Sequence, residues 1–161
     1  MSPPTLPEGY TLHPGSPDVE SYLHLRRASG LSPKTTAQGT ASVTGAWYGC
    51  YISYTDPSTL SSESKSAPTS TPIAMGRIIS DGGWYFHIVD MAVLPAHQRR
   101  GFGEVLLKHL LGYIKEHAPE GEPYVNLLAD EPGRKLYSRN GFVDAMPGSL
   151  GMVYKGKFEG L

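Results

Sequence analysis

The chain has 161 residues, enough for one domain with its own core, and 39% of them are apolar. A net charge of −1 and a pI near 6.6 give no general attraction to nucleic acid or anionic membrane, and no apolar run approaches the ~20 residues of a membrane span. Cys50 is the only cysteine and the six histidines are scattered without ligand spacing, which excludes an intrachain disulfide and argues against a metal site. The first residues carry neither a basic start nor an apolar stretch, so a soluble, cytoplasmic protein is expected.

The pattern predicts a short strand over Gly9–His13, ended by Pro14-Gly15-Ser16-Pro17. Asp18 can cap a helix with Val19, Tyr22, Leu23 and the Arg26 stem on one face, closed by Gly30. Ser32-Pro33 offers a cap and first-turn proline for a second helix. Trp47–Thr55 is aromatic and β-branched and reads as a strand. The Ser/Thr/Pro-rich residues 56–72 read as a long mobile hairpin loop within a single domain spanning residues 1–161.

Strand character resumes at Ile73–Ser80, turns at Asp81-Gly82-Gly83, and continues through Trp84–Leu94, which is apolar on both faces like a central strand. After Pro95 comes a glycine-bearing loop and a helix from about Gly103 to His117, with Leu106, Leu107, Leu110, Leu111 and Ile114 on one face. Tyr124–Ala129 reads as a strand parallel to its predecessor, Asp130-Glu131-Pro132 as a helix start, and Asn140-Gly141 as that helix's left-handed stop. Phe142–Met146 and Met152–Phe158 complete a mixed α/β order of β-α-α-β-β-β-α-β-α-β-β, without internal repeat.

The chemistry concentrates where the central strand meets the long helix. A helix N-terminus presents unpaired N–H groups to an anion, Gly101 and Gly103 permit close backbone approach, and Arg99 and Arg100 add positive charge. The segment Gln98-Arg99-Arg100-Gly101-Phe102-Gly103 resembles the acetyl-CoA signature of the GNAT superfamily of N-acetyltransferases. Leu136-Tyr137-Ser138-Arg139-Asn140-Gly141-Phe142 is similar to a second family block, at matching separation.

That resemblance implies a GNAT-like fold: a central mixed sheet with splayed parallel strands and flanking helices. It implies acetyl-CoA as co-substrate, with no metal. The backbone of Gln98, Arg99, Arg100, Gly101, Phe102 and Gly103 would hold the pyrophosphate, and Met91, Ala92 and Val93 would pair with the pantetheine arm. Tyr137 would return a proton to the departing thiolate, and either His87 or Asp90 would serve as base. Strand alternation sets those two on opposite faces unless a bulge intervenes. Asp130 stands where the family often has Asn, so it is either a cofactor contact or a helix cap.

Tyr22, Arg26, Leu31 and Tyr48 are expected around the acceptor, together with the aromatics Trp47 and Tyr51 and the last hairpin around Met146–Met152. The leading expectation is acetyl transfer to a small-molecule primary amine by direct attack in a ternary complex. The alternatives are a protein lysine or N-terminus, disfavoured by the lack of an extended acidic cluster, and a non-catalytic CoA-binding module. The expected partners are an amine acceptor, no nucleic acid and no membrane, in a monomer or a homodimer.

Overall fold

A computed structural model describes residues 6–60, 69–156 and 158. The chain divides into two compact units, Met1–Leu127 and Leu128–Leu161. The first contains β1 (Tyr10–Pro14), α1 (Val19–Ala28), α2 (Thr36–Thr44), β2 (Tyr48–Tyr54), a single turn α3 (Pro57–Leu60), β3 (Thr71–Ile79), β4 (Tyr85–Val93), α4 (Phe102–His117) and β5 (Tyr124–Asn126). The second contains α5 (Arg134–Arg139), entered through a 3-10 turn at Glu131–Gly133.

The five strands form one mixed sheet in chain order, antiparallel from β1 to β4 and parallel between β4 and β5. The β4–β5 ladder covers only Tyr85–His87 against Tyr124–Asn126, so Ile88–Val93 runs on without a β5 partner. This is the mixed sheet with flanking helices that the resemblance implies.

Local chemistry sets the helix ends. Asp18 accepts from the Ser21 N–H at 2.9 Å, and hydrogen bonding by the Ser21 side chain first, then by that N–H, holds its carboxyl below the usual range. The second helix starts later than Ser32-Pro33 suggests. Thr35 and Gln38 bond each other's backbone N–H reciprocally, and this capping box wins the start, while the Ser32 carbonyl is taken by Arg26.

α4 lies against β2, β3 and β4 and buries Phe102, Leu106, Leu107, Leu110 and Ile114 to 2% exposure or less. At about 1.5–3 kcal/mol per buried large apolar side chain, this face is a main anchor of the first unit. On the α1 side, Tyr22, Leu25, Met75 and Ala92 form a second cluster with Leu31 and Tyr51 packed on it.

Within 56–72, Asp56 caps α3 through the Ser58 N–H, and β3 begins at Thr71; residues 61–68 of the expected loop lie outside the described residues. The strands predicted at Phe142–Met146 and Met152–Phe158 do not form among the described residues. Val143 and Met152 are each 89% exposed. Alternating apolar residues make a strand only where the backbone finds a ladder, and this stretch has none. Among the described residues no helix is long and apolar enough to cross a membrane.

Candidate active site

β4 ends at Val93, a short 3-10 turn follows at Pro95–His97, and α4 begins at Phe102 with Gly101 as its cap. Arg99 (φ 63°) and Gly101 (φ 84°) both adopt left-handed backbone, which turns successive N–H groups toward one side. None of the N–H groups from Arg99 to Gly103 has an acceptor among the described residues, and no side chain caps the helix. The result is a run of unpaired donors on the positive end of a 16-residue helix.

Side chains brace this loop. Gln98 donates from Nε2 to the Val93 carbonyl at 3.0 Å. Arg100 donates from Nη1 to the Tyr10 hydroxyl at 2.9 Å, and that hydroxyl lies 2.9 Å from His97 Nδ1. Burial, then the Arg100 charge, lowers the His97 pKa. Phe102 is 2% exposed and its ring lies 4.6 Å from that of Tyr10. Phe102 is thus a core anchor that also contributes an open N–H. Tyr10, unmarked by any sequence motif, ties the first strand to the loop.

Asp90 and Met91 together oppose the single residue Gly76, since Met75 pairs with Ala92 while Arg77 pairs with Val89. This is a β-bulge, and Asp90 takes φ 56° to make it. Its consequence is that Val89 and Asp90 line the same cavity instead of facing opposite ways. By strand alternation His87 shares the face of Val89, so the bulge brings both candidate bases to the α1 side.

The Asp90 carboxylate is surrounded by donors. Oδ2 accepts from the Tyr22 hydroxyl at 2.6 Å and from Arg77 Nε at 2.5 Å, while Oδ1 accepts from Arg26 Nη1. Arg26 also bonds the Ser32 carbonyl through Nε and Nη2. The Asp90 and Arg26 side chains are only 8% and 9% exposed. A cavity of about 500 Å³ opens over this cluster, between α1, α2 and the sheet.

His87 is half-buried, with Nδ1 2.5 Å from Asn126 Oδ1. The Asn126 amide donates to the Phe86 carbonyl, which leaves its oxygen as the acceptor. Nδ1 then carries the proton, and the Nε2 lone pair has no partner among the described residues.

Tyr22 and Arg26 line the cavity, whereas Leu31 packs on the core cluster beneath. Tyr48 is not brought to them. Its ring stacks on Tyr113 of α4 at 3.5 Å and its hydroxyl meets His109, because alternation along β2 sends it to the α4 side. Trp47 likewise packs against Phe86 and Tyr113. Cys50 is 1% exposed and burial pushes its thiol up to about 12, so it is inert.

Arg77 is the residue that sequence reading missed. The signal was present: an arginine between Gly76 and Ile78, inside an otherwise apolar strand, requires a buried anionic partner.

In the second unit, Tyr137 is half-buried on α5. Its pKa is raised by burial first and by the Asp130 charge second. The helix ends in a Schellman arrangement: Phe142 N–H bonds the Tyr137 carbonyl, Gly141 N–H bonds that of Ser138, and Gly141 takes φ 90°. Asp130 does not act as the side-chain cap that was one of its two readings. Gly133 makes room for the phenol ring, since a Cβ there would lie 2.8 Å from it. Among the described residues no group of three or more His, Cys, Asp or Glu side chains could hold a metal ion.

Comparisons with known proteins bear on the fold and the family. The family model of the acetyltransferase (GNAT) domain matches residues 65–144. The structure of SA2161 from methicillin-resistant Staphylococcus aureus, a protein of unknown function described as a probable acetyltransferase, is 35% identical. It superposes with a TM-score of 0.76 over 91% of this chain and 99% of that one. The GNAT-family protein SP0256 from Streptococcus pneumoniae shares the fold at 21% identity and TM-score 0.68, over 92% of this chain and 98% of that one. A predicted acetyltransferase from Clostridium acetobutylicum, solved with acetyl-CoA, does so at 16% identity and TM-score 0.61, over 89% and 96%. No curated protein sequence matches the chain. The matched motif region and a relative alike over nearly its whole length lead to one conclusion: the chain belongs to the GNAT superfamily of acetyltransferases.

Proposed function

We propose that this acetyltransferase transfers the acetyl group of acetyl-CoA to a primary amine of a small molecule, by direct attack in a ternary complex. The observation that carries the reading is the run of unpaired N–H groups from Arg99 to Gly103 at the start of α4. Such a run fits a pyrophosphate, and the acetyl-CoA bound by the Clostridium relative supports the choice. Acetyl-CoA supplies an acetyl group activated as a thioester. The backbone of Met91, Ala92 and Val93, without a β5 partner, is suited to pair with an extended arm as an added strand would.

An amine with a pKa near 10 is only about 0.1% neutral at pH 7, so its deprotonation costs roughly 4 kcal/mol. His87, with Nε2 free, is the base that the hydrogen bonding favours. Asp90 has both oxygens engaged by Tyr22, Arg26 and Arg77, and its role is to position those side chains. Tyr137 stays protonated at neutral pH and can return a proton to the leaving sulfur.

The test is thermal denaturation with saturating acetyl-CoA, followed by release of free thiol on a panel of amines. Stabilisation by acetyl-CoA and amine-dependent thiol release are expected. A protein that acetyl-CoA does not stabilise would overturn the reading.

A further inference from the structure

The α1–α2 cavity carries more positive charge than its own carboxylate can balance. Arg26, Arg77 and Lys34 line it, with Asp90 as the single anion among the described residues. Arg26 is consumed internally, bonded to Asp90 and to Ser32 through Nε, Nη1 and Nη2. Arg77 is not. Its Nε donates to Asp90 and one Nη1 proton to the Ser42 carbonyl, which leaves Nη2 without a partner among the described residues. Yet its side chain is only 11% exposed. No buried polar side-chain atom lacks a partner among the described residues, so the open Nη2 faces the cavity, where an anion can reach it. Lys34, exposed at the rim of the same cavity and in no ion pair among the described residues, adds a second cation.

We propose that the acceptor amine carries a carboxylate, which Arg77 Nη2 and Lys34 receive in this cavity, so that the substrates are amino acids or similar amino carboxylates. This rests on reading the cavity as the acceptor site of the acetyl transfer. Its volume of about 500 Å³ suits a small molecule. His87 lies on the same strand face, two residues from Val89, which faces Arg77 in the β3–β4 ladder. In this proposal a carboxylate held at Arg77 directs the amine along this strand face toward His87. The same charge repels polyamines and lysine-rich peptides, whose cationic groups would meet three like charges and one carboxylate.

The experiment compares matched acceptors: leucine, phenylalanine and glutamate, their α-carboxamides, the corresponding decarboxylated amines, and spermidine. Thiol release is measured for the wild-type protein, Lys34→Glu and Arg77→Met, with thermal shift in the presence of CoA as an independent readout of acceptor binding. Each acid should exceed its carboxamide in kcat/KM by about tenfold or more, as a hydrogen-bonded charge pair gives. Lys34→Glu, at an exposed position that does not threaten folding, should narrow that ratio. Arg77→Met should narrow it further.

Carboxamides or spermidine used as well as the acids would overturn the proposal and leave the transferase reading standing. If no amine is turned over, stabilisation by the acids but not the carboxamides still supports it, and equal or absent stabilisation overturns it. Failure of acetyl-CoA to stabilise the protein counts instead against the proposed function.

Discussion

Gly76 and Met91 meet across the β-bulge: a Cβ built on Gly76 would lie 2.5 Å from the Met91 sulfur and 3.1 Å from Leu110. The bulge therefore requires a residue without a side chain opposite it. Met91 fills the space toward α4, and Asp90 turns to the α1 side. Gly76→Val is expected to lower stability by about 1–3 kcal/mol through overpacking, read as a drop in Tm. It should also reduce turnover, because displacing Met91 displaces Asp90 with it. A variant with unchanged Tm and turnover would show that the bulge does not depend on this close approach.

The same bulge separates two roles that strand alternation alone leaves open. Asp90→Asn removes the charge that balances Arg26 and Arg77 and should cost about 3 kcal/mol or more, since two guanidiniums are left nearly buried without a counter-ion. His87→Gln should keep its Tm within a few degrees and lose turnover. Thermal denaturation beside single-turnover rates distinguishes them. A well-folded Asp90→Asn protein that is inactive, with an active His87→Gln protein, would reverse the assignment.

Tyr137 gives a prediction in alkaline pH. Burial first, and Asp130 second, raise its pKa above the ordinary 10.0. The folded value is then above the unfolded one. Its contribution to stability is intact below pH 10 and is lost as pH rises through the folded value. Difference absorbance of phenolate between the wild-type protein and Tyr137→Phe should show one tyrosine ionising later than a free phenol. Tyr137→Phe should also lower turnover while leaving the stabilisation by acetyl-CoA unchanged.

What the sequence makes legible here is chemistry set by neighbouring residues. The run Gln98–Gly103 and the stop at Asn140-Gly141 depend on local backbone needs, so Gly101 and Gly141 announce their positive φ directly. Asp18 as a cap and the leucine face of α4 are of the same kind. The ionic cluster is not. Arg26, Arg77 and Asp90 lie on three elements, and only the β3–β4 register with its extra residue brings them together. Tyr48 shows the limit in another way: its type suits a binding pocket, but one step of alternation along β2 sends it to α4. Likewise the alternation at Met152–Phe158 describes strand propensity without naming a partner strand, and exposed Met152 and Phe158 have none among the described residues.

Gly101 offers the sharpest test of the donor loop. Its φ is 84°, yet a Cβ there would meet nothing within 4 Å. Any effect of Gly101→Ala therefore comes from backbone conformation and not from crowding. Holding alanine in the left-handed region costs about 1 kcal/mol, and the chain can relieve this by rotating the Gly101–Phe102 peptide. That rotation turns the Phe102 N–H away from its neighbours and opens the donor run. A modest loss of Tm in the free protein, with a larger loss of stabilisation by acetyl-CoA, is the expected pairing. Arg99→Ala, which removes an exposed charge and relocates no N–H group, should instead weaken acetyl-CoA binding mainly at low salt. If Gly101→Ala binds acetyl-CoA as the wild-type protein does, the pyrophosphate is not held by this backbone.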